Sequence, residues 1–408
     1  MGKITFFGDI MCEPLLLRTA RRGDGGYDFD GVFENVKPLL DEADFVVGNL
    51  ETPLAGPDAG YTRDLFSFNT PDAFADSIRR AGFSMVTTAN NHCLDRGMEG
   101  LKRTVRVLGE KGIPCFGTWE RPEDRTEAHY FSVDGRRIAL ISCTYGTNYA
   151  VNHCRVTPEE EECISLLHAH TEPVYKKKDA AAQRRSFVSR AWRRFLRQFS
   201  EENRTRILKA LHQPYNWPRE DDFLDLQTVA PYMDRLRQSI RAAREKADLV
   251  LFNPHVGGQF NIDPGPFTQY VIGQALEAKC DAIVASHPHI VQRAGYVDGI
   301  PCFYSIGNFS MSPNSVYLLH EHLPEYGLAV HLYVESGSIR RTTFSILKMV
   351  EEKNRMLTVY PVDAYLKECR DERARMKLQG EVGQVYRTVT GKALKEGDLR
   401  REYDLARA

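Results

Sequence analysis

The sequence predicts an α/β protein in which parallel strands are joined by crossover helices. Over the first 120 residues, short β-rich apolar runs alternate with segments of helical apolar spacing. Several of those runs end in Gly, Asn, Asp, Glu or His. The chain has 408 residues, 42% hydrophobic and 27% charged, enough to bury a substantial core in an ordinary globular protein.

Taken in order, residues 3–7 (Lys-Ile-Thr-Phe-Phe) read as a strand ended by Gly8-Asp9. Residues 44–47 form a second, ended by Gly48-Asn49-Leu50-Glu51. A proline-started helix follows over 71–81, with Thr70 as N-cap and Gly82 just past its end. The strand 84–88 runs into Ala89-Asn90-Asn91-His92, and Leu101, Val105 and Leu108 mark a helix over about 97–111. Residues 130–143 read as a hairpin around Asp134-Gly135.

The pattern then dissolves, and we place a helical insertion at about 155–228. Within it, Lys176, Lys177, Lys178, Arg184, Arg185, Arg190, Arg193, Arg194 and Arg197 interleave with Phe187, Trp192, Phe195 and Phe199. That spacing predicts an amphipathic helix with a basic back, either a solvated surface helix or a gating or docking element. Regularity returns with a helix over about 229–246. The strand 248–252 ends at Asn253-Pro254-His255, and a helix over about 266–279 follows. The apolar run 281–285 leads into Ser286-His287-Pro288-His289, where Pro288 biases His287 toward extended geometry. Asp298-Gly299 turns the chain into residues 301–305, followed by Ile306-Gly307-Asn308. A hairpin spans 327–335 and 339–348. The charged remainder reads as helical, giving a main domain over 1–350 and a helical C-terminal appendage over 351–408.

The net charge of −1 gives no global field that argues for nucleic acid or an anionic membrane. The N-terminal residues show no leader pattern and no window approaches bilayer length, so a cytoplasmic protein without a membrane span is expected. Nine dispersed cysteines without a CxxC pair fit reduced thiols, with Cys143, Cys280 and Cys302 as core residues.

Separate strands thus end in Asp9, Glu51, Asn91-His92, His255 and His287/His289. In an open α/β sheet, ligands bind outside the carboxyl ends of the strands, so these side chains are expected to converge. Carboxylates and imidazoles without thiolate suit one or two divalent ions, Mn, Fe, Zn or Mg. The other eight histidines (129, 153, 168, 170, 212, 320, 322 and 331) are expected at the surface.

Gly8-Asp9-Ile10-Met11, Gly48-Asn49-Leu50-Glu51, Ala89-Asn90-Asn91-His92, His287-Pro288-His289-Ile290-Val291-Gln292 and Tyr304-Ser305-Ile306-Gly307-Asn308-Phe309 resemble the ordered blocks of the CapA family. These are bacterial capsule or poly-γ-glutamate synthesis proteins, related to calcineurin-like metallophosphoesterases. The resemblance implies a metallophosphoesterase-like four-layer α/β/β/α sandwich. It also implies that Asp9 binds a first metal, Glu51 bridges, Asn91, His255 and His287 bind a second, and His289 returns to the first. His92 would act as general acid or transition-state stabiliser, and Asn49, Asn90, Tyr304 and Asn308 would support the site or face substrate. The chain departs from the related phosphoesterases at Met11, where they carry a histidine. It departs again at Val256-Gly257-Gly258, where the family usually continues the histidine with Trp-Gly, and at Ser286.

The expected function is metal-dependent hydrolysis, of a small phosphoester by a metal-activated water, linked to capsule or poly-γ-glutamate metabolism. The alternatives are an enzyme that binds or cleaves an anionic γ-glutamyl polymer, and a non-catalytic metal-binding module.

Overall fold

The computed structural model describes residues 1–63, 66–171, 192, 195–196, 198–199, 201–211, 221–222, 225–315, 318–352, 355–395 and 397–407, with backbone alone at 201, 202, 205 and 209. Its strands are β1 (Gly2–Ile10), β2 (Phe45–Leu50), β3 (Met85–Thr87), β4 (Cys115–Phe116), β5 (His129–Val133), β6 (Arg136–Thr144) and β7 (Leu249–His255). They continue with β8 (Ala282–Val284), β9 (Ala294–Val297), β10 (Ile300–Phe303), β11 (Tyr326–Glu335), β12 (Ser338–Val350), β13 (Thr358–Pro361) and β14 (Tyr403–Asp404). One sheet has the order β13-β12-β11-β1-β2-β3-β4, with β14 on β12; the other has the order β5-β6-β7-β8-β10-β9. The crossover strands β1 to β4, and β6, β7, β8 and β10, pair in parallel. The hairpin partners β5, β9, β11 and β12 pair antiparallel.

Strand alternation builds the layers. Ile4 and Phe6 of β1 and Leu249 and Leu251 of β7 meet in a cluster between the sheets. Phe7 and Val46 point the other way, onto Phe33, Phe74 and Ile78 from helices over the first sheet. Val250 and Phe252 do the same on the second sheet, against Met233 and Val271 of the helices Leu226–Arg244 and Pro266–Glu277. The result is the expected four-layer α/β/β/α arrangement.

Local chemistry sets most boundaries as expected. Asp134-Gly135, Asp298-Gly299 and Ser336-Gly337 each have two positive φ values, the geometry that suits tight hairpins. The helix Ala73–Ala81 ends on Gly82 at φ 109°. Its N-cap is Asp72 rather than Thr70, because the Thr70 hydroxyl is bonded to the Thr52 hydroxyl at 2.7 Å.

Several expectations need correcting. The segment after residue 350 is helical at Val362–Glu368 and Glu372–Thr390. It also supplies β13 and β14 to the first sheet and packs Leu378, Val382 and Val385 into the inter-sheet cluster. Of the histidines expected at the surface, His168, His170 and His331 are buried. His331 is held inside the first sheet by Thr5 and Ser345 hydroxyls at 2.9 and 3.0 Å. His212, Phe187 and all nine lysines and arginines named in the basic run lie outside the described residues. All nine cysteines are free, and Cys143, Cys280 and Cys302 are buried in the cluster over the second sheet. Among the described residues, no helix is long and apolar enough to cross a membrane.

Candidate metal centre

The site forms where the two sheets meet at one end. Asp9 lies near the end of β1, Glu51 follows β2, Asn90 to His92 follow β3, and His255 ends β7. The segment after β10 crosses to β1: Asp9 N–H donates to Gly307 O at 3.2 Å, and Phe309 N–H donates to Asp9 O at 2.9 Å. This approach requires glycine, since a Cβ at Gly8 would sit 2.0 Å from Gly307 O. It carries Asn308 to the donors.

His287 and His289 have φ of 109° and 58°. The extended geometry expected at His287 is not adopted; its N–H instead donates to Asp9 Oδ2 at 3.2 Å. Non-glycine residues held at positive φ cost free energy and collect at functional sites. The twist here turns two successive histidine rings toward Glu51.

Asp9, Glu51, Asn91, His92, His255, His287 and His289 are all nearly inaccessible to solvent. Ligand atoms of Asp9, Glu51 and His255 lie within 4.8 Å of one another, as do those of Glu51, His287 and His289. Glu51 is shared by both groups. The grouping joins Asp9 to His255, at 3.7 Å, although His289 Nδ1 lies nearer, 3.5 Å from Asp9 Oδ2. His255 Nε2 faces Asn91 Oδ1 at 2.6 Å, His287 Nδ1 at 3.1 Å and Glu51 Oε1 at 3.3 Å. These are mostly electron-pair donors aimed at one another. Among the described residues, neither buried Glu51 carboxylate oxygen has a hydrogen-bond partner, although His255, His289 and His92 nitrogens lie 3.3–3.9 Å from Oε1. Uncompensated buried acceptors are costly, and a divalent cation supplies what they lack. The donor set therefore fits a metal ion.

The electrostatics agree. Burial, reinforced by Glu51, pushes Asp9 up to about 7, and burial raises Glu51 as well. Burial pushes His255 down to about 4 and lowers His289. Each shift disfavours the charged form, the direction that burial away from water dictates.

The neighbouring amides fix these donors. Asn49 Nδ2 donates to Asp9 Oδ1 at 2.7 Å and lies 3.1 Å from His255 Nδ1. Asn90 Nδ2 donates to Leu50 O at 2.7 Å, tying the ends of two strands together. Asn308 Nδ2 donates to the carbonyls of His289 and Pro324. Its Oδ1 therefore accepts from His289 Nδ1 at 2.9 Å, leaving Nε2 as the electron-pair donor. Tyr304 is not brought to the site. Phe303 faces the inter-sheet cluster, so strand alternation sends Tyr304 to the outer one, under the Arg293 guanidinium at 4.3 Å.

His92 stands at the edge of the donors, its Nε2 3.9 Å from Glu51 Oε1. Its Nδ1 meets Asp95 Oδ2 at 2.6 Å. Burial alone would lower this imidazole, but Asp95, Glu51 and Asp9 together outweigh it and raise its pKa. Asp95 was not singled out from sequence, though a carboxylate three residues after a candidate acid is a usable signal. Phe68 packs on the His92 ring at 4.5 Å, and the Asn148 amide lies 3.4 Å from both ring nitrogens. Tyr145 covers His287 at 4.4 Å between ring centres. A cleft opens above, lined in part by Met11, Glu13, Phe66, His92, Gln259 and Met311. Glu13 is buried there, and desolvation, with Glu351 nearby, raises it to about 7.

The model of the family described as bacterial capsule synthesis protein PGA_cap matches residues 3–312. The chain is 25% identical over 367 residues to a capsule biosynthesis protein CapA of Bacillus anthracis, covering 86% of this chain and 71% of that one. It is 22% identical over 309 residues to the PGA biosynthesis protein CapA of Bacillus subtilis (strain 168), covering 75% and 62%. It is 27% identical over 310 residues to the uncharacterized protein y4sH of Sinorhizobium fredii (strain NBRC 101917 / NGR234), covering 68% and 61%. The chain thus spans less than two thirds of the length of the latter two relatives.

Proposed function

Because the chain belongs to the family of bacterial capsule synthesis proteins PGA_cap, we propose that it is a metal-dependent hydrolase that cleaves a phosphate ester, with a role in capsule material. The observation that carries this reading is Glu51, buried amid Asp9, His255, His287 and His289 with neither carboxylate oxygen hydrogen-bonded among the described residues. Asp9, Glu51, Asn91, His255, His287 and His289 would hold one or two divalent ions. Such an ion, when bound, acidifies water and polarises phosphoryl oxygens.

The chain's own residues supply the rest. Asp95 Oδ2 accepts a hydrogen bond from His92 Nδ1–H, so Nε2 is the nitrogen presented to the donors. His92 would give a proton from Nε2 to a departing alkoxide, and Asp95, Glu51 and Asp9, which raise its pKa against burial, favour the acid form. Phe68 packs on the ring, holds it in that orientation and shields it from water. Asn49 and Asn308 fix Asp9 and His289.

The test is elemental analysis of protein purified without chelator, then a screen of phosphomonoesters, phosphodiesters and γ-glutamyl peptides. Stoichiometric metal with ester turnover is expected. His92→Ala should lower turnover by roughly 10²–10⁴-fold while metal content stays. Loss of metal in His92→Ala would make His92 a ligand instead. Absence of bound metal after manganese reconstitution sinks the proposal.

A further inference from the structure

We infer that the cleft over the metal centre takes a phosphate ester bearing a single negative charge and an apolar ester group, and that Glu13 sets this preference. The inference rests on the phosphoester reading and names its substrate class. Beyond the donors, the wall combines apolar Met11, Phe66, Phe68, Val151 and Met311 with neutral polar Tyr145, Asn148 and Gln259, and Glu13 is its one acidic member among the described residues. No lysine or arginine lines it among the described residues.

These wall residues are fixed in place. Met11 N–H donates to Ser310 Oγ at 2.9 Å, and that hydroxyl donates back to Met11 O at 2.8 Å. Glu13 is only 2% exposed, and its Oε2 accepts from Ser312 N–H at 2.6 Å. The Ser312 hydroxyl in turn donates to Glu351, so a second carboxylate backs the first. Val151, 50% exposed, presents an apolar side chain at the rim.

A phosphomonoester dianion brings a second charge that sites commonly meet with Arg or Lys aimed at the phosphoryl oxygens. Here a carboxyl group stands in the wall instead. A like charge in the wall of the same cleft costs roughly tenfold or more in binding. Esterifying the second oxygen removes that charge, and an apolar ester group gains by covering the thioether and aromatic surface.

The test compares kcat/KM of the manganese-reconstituted full chain on p-nitrophenyl phosphate and bis(p-nitrophenyl) phosphate, above the raised Glu13 pKa of about 7. The diester is expected to lead by roughly tenfold or more. Glu13→Gln should narrow the ratio several-fold by raising the monoester rate. Val151→Arg, at a solvent-exposed position that does not threaten folding, should narrow it in the same direction. Turnover with the monoester equal or preferred, or a ratio that Glu13→Gln does not move, overturns the inference and leaves phosphoester hydrolysis standing. No turnover of either ester despite bound manganese overturns the phosphoester reading, and this inference with it.

Discussion

At His92 the local balance of charge decides what the side chain can do. Burial favours the neutral ring, whereas Asp95 at 2.6 Å, with Glu51 and Asp9 behind it, favours the charged one and prevails. A raised pKa means the acid form is present below it and lost as pH rises through it. Asp95→Asn removes the largest stabilising charge, so the alkaline limb of the kcat/KM profile should move to lower pH. Turnover should fall, by no more than the roughly 10²–10⁴-fold that general acid catalysis supplies. Metal content should be unchanged, because Asp95 is not in either group of potential ligands. A pH–rate profile with parallel metal analysis checks this, and an unmoved alkaline limb would remove Asp95 from the mechanism. The same balance explains why Asp95 was missed in the sequence. Its role depends on a turn that folds residue 95 back onto residue 92, which no apolar periodicity announces. Asn148 and Glu13 escaped for a similar reason, since each sits just before a short helix a few residues past its strand, beyond the strand-end residues that the pattern marks.

Among the elements, the crossing of β1 by the segment after β10 matters most to the site. Gly8 and Gly307 pass so closely that an alanine at position 8 would place its Cβ 2.0 Å from a carbonyl oxygen and 2.9 Å from a carbonyl carbon. Backbone, unlike a flexible side chain, cannot step aside cheaply. Gly8→Ala should therefore cost on the order of 3 kcal/mol or more and loosen Asn308 from His289, lowering metal affinity as well. Thermal unfolding with and without metal reads both effects, and a variant matching wild type in each would show the crossing to be compliant. Strand ends were legible in the sequence because each donor follows an apolar β-rich run: Asp9 after 3–7, Glu51 after 44–47, His255 after 248–252. What such runs do not fix is which face the next residue takes. Tyr304 was placed at the site from its position in a block, yet it follows inward-facing Phe303 and so points outward. The turn at His287 also departed from expectation, because the Asp9 carboxylate captures its N–H and holds a conformation that local preference disfavours. Short strands were equally hard to see: β13 and β14 have 4 and 2 residues, too few for a period to register.

For the molecule as a whole, those two short strands change how the C-terminal segment relates to the rest. A division at residue 350 would treat 351–408 as an appendage on a finished domain. Yet Val362, Leu378, Val382, Val385, Val389, Tyr403 and Leu405 belong to the cluster between the sheets and are buried. Glu381 accepts from the Tyr326 hydroxyl at 2.6 Å and pairs with Lys348 at 3.2 Å, tying the last long helix to β11 and β12. Glu402 pairs with Lys3 of β1 at 3.3 Å, so the two ends of the chain meet on one sheet. Removing the segment would expose apolar side chains worth about 1.5–3 kcal/mol each when fully buried. Their sum is comparable to the roughly 5–15 kcal/mol by which whole domains are stable. It would also leave β12 as a long unprotected edge, a template for aggregation. A chain ending at residue 350 should therefore be recovered aggregated or without a cooperative unfolding transition. Since the donors come from strands of both sheets, metal binding should be lost together with the fold. Size-exclusion chromatography, thermal unfolding and metal analysis of that truncation decide the matter. A monomer that unfolds cooperatively with wild-type metal content would restore 351–408 to the status of an appendage.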